Sequence, residues 1–88
     1  MFISASMKNV IFDNAHLTES DFTKANLQGA SFVRADLRRT RLFRANLRGA
    51  NFTGARLTAA DFLKADLSGA TWIDGKTVCA EGSIGQCK

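Results

Sequence analysis

The 88 residues carry 12 Lys and Arg against 8 Asp and Glu, a formal net charge of +4, with 45% hydrophobic and 23% charged side chains. That balance excludes a disordered tail and a coiled coil, and a chain of this length holds one domain and one core, burying only about 60 to 65% of its unfolded surface. No run of about 18 apolar residues occurs and the opening MFISASMKNV has neither a charged nor an apolar leader region, so no transmembrane helix or signal peptide is expected; an exported form would be a mature or trimmed chain.

From Phe2 onward every fifth residue is large and apolar: Phe2, Met7, Phe12, Leu17, Phe22, Leu27, Phe32, Leu37, Leu42, Leu47, Phe52, Leu57, Phe62, Leu67 and Trp72. Two residues before each of these, from Ala5 to Ala70, the side chain is small or β-branched. A period of five fits neither the 3.6 of an α-helix nor the 2.0 of a strand. On a helix each step of five would advance about 140° net, scattering the large residues around the cylinder. What remains is a chain that turns repeatedly in one sense and stacks coil on coil, with one small and one large residue of each five facing inward.

The units ADLSG, ANLQG, ANLRG, ADLRR, ANFTG and ADFLK resemble the A(D/N)LxX motif of the pentapeptide-repeat family over residues 5–74. Departures fall in the units beginning at Val10, Ser20 and Thr40, and in the polar position at Ile11, His16, Arg41 and Arg56, without shifting the register. The resemblance implies an all-β fold, a right-handed quadrilateral β-helix of under four coils with one unit per side. Grouping the central residues by twenty supports the count of four: Phe12, Phe32, Phe52 and Trp72 share one side, Phe2, Phe22, Leu42 and Phe62 the opposite one, and leucines with Met7 the other two. All fifteen central positions are expected to be buried. The recurring Asp and Asn are read as backbone caps rather than acid–base groups, and Gly29, Gly49, Gly54 and Gly69 as turn residues needing positive φ. At the N-terminal end the register already holds at Phe2, so no cap is expected there.

After Trp72 the repeat stops, giving a division into a β-helix over 1–74 and a short irregular C-terminal cap over 75–88. Both cysteines, Cys79 and Cys87, lie in the cap. With His16 as the one histidine they cannot build a four-ligand zinc site, so no metal or other cofactor is expected. Two readings remain: a disulfide closing nine residues, worth about 2 to 3 kcal/mol, or two free thiols packed as small hydrophobes in a reducing compartment. The disulfide is the expectation, and the tail also resembles the caps of exported pentapeptide-repeat proteins, including thylakoid-lumen members. That implies a periplasm or thylakoid lumen, with the cytoplasm as the alternative.

A twenty-residue coil lines surface residues into columns about 4.8 Å apart. One column is Lys24, Arg44, Lys64; Glu19, Arg39, Ala59 run beside it, and Asp21, Arg41, Asp61 alternate in sign. Next to these, Thr23, Phe43, Leu63 place two large apolar groups in outward positions. No nucleophile, base or phosphate loop accompanies them, so an enzyme is not expected. The expectation is a structural or protein-interaction module, contacting a protein partner or a second copy as a homodimer, through Phe43 and Leu63 ringed by Arg38, Arg39, Arg41 and Arg44. The alternative is nucleic-acid binding through the Arg-rich side. The gyrase-protecting DNA mimicry known in the family needs a long anionic rod, and this chain is short and cationic.

Overall fold

A computed structural model describes residues 2–88. Its backbone is a ladder of parallel bridges between residues twenty apart, from Ser6 with Asn26 to Asn51 with Thr71. Each bridge is held from both sides. The Leu27 N–H donates to the Asn46 carbonyl at 2.8 Å, for example, and the Asn46 N–H to the Ala25 carbonyl at 2.9 Å. No helix forms among the described residues. The molecule is a β-solenoid.

Bends between bridges repeat every five residues because each unit closes the same turn. The Ala25 N–H donates back to the Phe22 carbonyl at 2.9 Å, and the third residue of that turn, Lys24, sits at φ 61. Only some units put glycine there; Glu19, Lys24, Arg39, Arg44 and Ala59 adopt the same left-handed conformation with a side chain attached. Where an Asp or Asn precedes the central residue, its side chain accepts the free N–H inside the turn: Asp21 from Thr23 at 2.9 Å, Asn51 from Thr53 at 3.0 Å, Asp66 from Ser68 at 3.0 Å. This local bond is why short acceptor side chains recur at that position.

Inside, rings stack directly along the solenoid: Phe12 on Phe32 at 5.7 Å, Phe32 on Phe52 at 5.3 Å, Phe2 on Phe22 at 4.9 Å. The two aromatic columns also meet edge-on across the interior, Phe22 with Phe32 at 6.4 Å and Phe52 with Phe62 at 6.0 Å. The inward alanines, buried from Ala25 to Ala55 and again at Ala65 and Ala70, with Ala60 half-buried, admit the backbone between them. At Thr40, where the repeat departs from alanine, the buried hydroxyl donates to the Leu17 carbonyl at 2.8 Å, so the polar atom is satisfied.

Burial of all fifteen central residues is corrected by the structure: Phe2, Met7, Phe12, Leu57, Phe62 and Trp72 are only half-buried. The reason is the one-dimensional contact pattern. A residue in the first or last coil has a neighbouring layer on one side only.

Candidate functional site

Phe43 and Leu63 lie on adjacent rungs of one side, the Arg44 N–H bonding the Leu63 carbonyl at 3.0 Å. They are not equally available. Leu63 is 57% exposed, whereas Phe43 is half-buried and covered by the guanidinium of Arg44, 5.3 Å from its ring centre. Such a cation over a ring face is worth about 0.5 to 1 kcal/mol at an exposed site, and it joins charge and apolar surface into one patch.

The four arginines divide. Arg39 and Arg41 line a shallow groove of about 460 Å³ together with Glu19 and Asp21, with Arg39 3.5 Å from Glu19. Arg38 turns into a second groove, of about 380 Å³, where it forks onto Asp36 through bonds of 2.9 and 2.8 Å beside His16, Arg34 and Arg56. Its hydrogen bonds hold the Asp36 carboxyl down at about 2. The Thr23 hydroxyl and N–H lower Asp21 in the same way. Arg41 and Arg44 have no ion-pair partner among the described residues, which leaves them the freer charges for a partner. His16 is exposed on the second groove. Among the described residues no three His, Cys, Asp or Glu side chains converge as a metal site.

Cys79 and Cys87 are joined in a disulfide, with Cys79 buried against the core and Cys87 half-buried. The segment they close turns back over the last coil. It pairs antiparallel, Val78 with Thr71 and Ile84 with Asp66, and bonds Leu67 N–H to the Ser83 carbonyl and Cys79 N–H to the Ala70 carbonyl, both at 2.8 Å. Arg48 fastens it from outside, forked onto Glu81 at 3.0 and 3.0 Å and reaching Asp66 at 3.0 Å. Burial pushes the Asp66 carboxyl up, but the Ser68 hydroxyl and N–H together with Arg48 outweigh it and hold it below the ordinary range. The Thr77 hydroxyl and N–H hold Asp74 at about 2.

Sequence reasoning missed the Arg48 fastening. Arg48 and Asp66 fall in neighbouring coils of one side and were readable as a pair, but Glu81 lies outside the repeat, where no column applies. Also missed was that the cap covers only half of the last coil. Ala55 to Lys64 bond the coil before them, but on their outward side no backbone hydrogen bond is made among the described residues, and the cap reaches only the Lys64 end, where Gly85 abuts it.

The model of the pentapeptide repeat region matches residues 5–79. In solved structures the chain is similar to HetL, a pentapeptide repeat protein involved in heterocyst differentiation regulation from the cyanobacterium Nostoc sp. strain PCC 7120, at 37% identity and TM-score 0.82. A second is a pentapeptide repeat protein from the Arabidopsis thaliana thylakoid lumen, at 38% identity and TM-score 0.80. These alignments cover 85% and 81% of this chain but only 35% and 49% of those proteins. No curated protein sequence matches significantly. No helix is long and apolar enough to cross a membrane among the described residues.

Proposed function

The chain belongs to the pentapeptide-repeat family, and from that premise we propose that it is a non-catalytic interaction module whose basic side binds a protein. Family members of this kind are generally structural modules without catalysis. The observation that carries the reading is the patch of Leu63, Phe43 and Arg44, an exposed leucine beside a ring capped by an unpaired guanidinium. Aromatic and Arg side chains at the centre of a patch are what protein interfaces favour. A second copy is one partner of this kind. The finer winding we assign is the right-handed, four-sided coil of under four turns, with residues 1–74 as its body and 75–88 as its cap; the offset of twenty residues between bridged partners supports four sides. An oxidising compartment, a periplasm or a thylakoid lumen, is supported by the Cys79–Cys87 bond and by the likeness to a thylakoid-lumen protein.

Affinity capture from the native compartment tests the reading. A protein retained by the wild-type chain should be lost with Phe43→Asp and kept with Lys76→Glu, since Lys76 lies in the cap. The same proteins retained by both variants would defeat the assignment to this side.

A further inference from the structure

Along the last coil the ladder stops in mid-air for half its length. One coil earlier, the N–H groups of Leu37, Arg39, Leu42 and Arg44 donate to carbonyls of the next layer at 2.8 to 3.0 Å. Their counterparts, the N–H groups of Leu57, Ala59, Phe62 and Lys64, have no acceptor among the described residues, and the carbonyls of Ala55 and Ala60 have no donor. Half-buried Leu57 and Phe62 lie along the same run, and Leu63 is exposed at its side.

We propose that this open half-edge, Ala55 to Lys64, is a docking site for an extended, acidic segment of a partner protein, which adds one bent strand to the solenoid. Three features choose that occupant. The adjoining half of the same edge already holds an extended segment by backbone bonds: Ser83 accepts from Leu67, and Gly85 donates to the Ala65 carbonyl, both at 2.8 Å. The open half offers the same kind of donors and acceptors, so strand addition continues an interface the chain itself uses. Second, the cap stands one layer above the Ala65–Trp72 half, so a whole coil from a second copy cannot lie flush across the end, whereas a single segment can. Third, Arg56 and Lys64 flank the run, both exposed and without an ion-pair partner among the described residues, and Arg44 lies one coil away. Acidic side chains on the incoming segment meet them.

The required segment spans two units of five, bends once, and sets an apolar residue over Leu57 and another over Phe62. The proposal rests on the reading of the chain as a binding module, but it uses the open backbone edge, which adjoins the Phe43 patch at Leu63 and Arg44 without needing the Phe43 ring.

Fluorescence anisotropy with the labelled, end-blocked peptide ADLEGANLEG tests it on the full, oxidised chain; in the register of the ladder its Asp falls over Arg56, its uncharged Asn over Asp61 and its second Glu beside Lys64. Binding is expected below about 1 mM, weakening with salt. Methylating the peptide backbone nitrogens of its Asp and Asn, whose N–H groups would donate to the Ala55 and Ala60 carbonyls, should weaken it by about tenfold or more. Lys64→Glu, at an exposed position, should weaken it without unfolding the chain, and Phe43→Ala, which adds no charge beside Arg44, should leave it unchanged, so the side patch and the edge fail independently. No binding at 1 mM, or binding indifferent to N-methylation, overturns the proposal. So does a concentration-dependent dimer that Lys64→Glu disperses, because the edge would then belong to a second copy.

Discussion

Replacing Phe52 by Ala strikes the solenoid where its layers depend most on one another. The ring is fully buried, stacked on Phe32 at 5.3 Å and met edge-on by Trp72 at 5.5 Å and Phe62 at 6.0 Å. Truncation removes the transfer energy of the ring and leaves a cavity that rigid neighbouring rungs cannot collapse into, together about 3 to 5 kcal/mol. At about 0.05 to 0.15 kcal/mol per residue the whole domain holds roughly 4 to 13 kcal/mol, so this one change takes a large share of it. Phe2→Ala is the control: that ring is half-buried, with a stacked partner on one face at 4.9 Å, and its loss should cost about half as much or less. Urea unfolding followed by circular dichroism measures both. A Phe52→Ala cost below about 1 kcal/mol, or equal costs at the two sites, would refute the picture of a core built by stacking layers.

Acid should destabilise the chain within a defined window. Asp36 and Asp74 are held at about 2 against an ordinary 3.8, the first chiefly by the Arg38 side chain and the second by the Thr77 hydroxyl. A carboxyl lowered on folding lends stability that is present above the unfolded value and lost as pH falls through the folded one. Melting temperature should therefore hold down to about pH 4 and decline toward pH 2, and Asp74→Asn should flatten part of that decline. Reducing the Cys79–Cys87 bond should lower stability by about 2 to 3 kcal/mol, and mass spectrometry of the unreduced protein should show two hydrogens fewer than the dithiol; readily alkylated thiols in freshly isolated protein would contradict it. Ala59→Gly, at φ 61, should raise stability by up to about 1 kcal/mol, read as a higher urea midpoint; a loss would mean that the chain entropy glycine adds outweighs the relieved backbone. If the basic side instead binds nucleic acid, retention on DNA or RNA at about 50 mM salt should collapse as salt rises.

The solenoid was legible because its cause is periodic. Phe32 and Phe52 could be placed in one stack from a twenty-residue offset alone, and the Asp and Asn before each central residue explained themselves as turn acceptors. Side-chain partnering was less legible. Arg38 and Arg39 are neighbours in sequence, yet one forks onto Asp36 and the other approaches Glu19, because adjacent positions at a corner point along different sides. Phe43 reads in the sequence as an exposed apolar group, whereas in the fold the Arg44 guanidinium stands over its ring. The path of the cap could not be read at all. Its bonds depend on where a non-repeating segment happens to return, and nothing in the spacing of Cys79, Glu81 and Ser83 says that it covers one half of an edge and leaves the other bare.

The twenty-residue offset between bridged partners also limits how such a chain can change length. Loss or gain of a single residue would carry every later side chain to a different role in its unit, trading core for solvent. Removing five would keep every unit intact but rotate all that follows by one side, seating rings above leucines. Removing ten returns rings to rings, since the two aromatic columns face each other, and removing twenty excises one layer and leaves the remaining stacks in register. Natural insertions and deletions should thus come in multiples of five, with ten and twenty the least disruptive, as if length were counted in whole bricks.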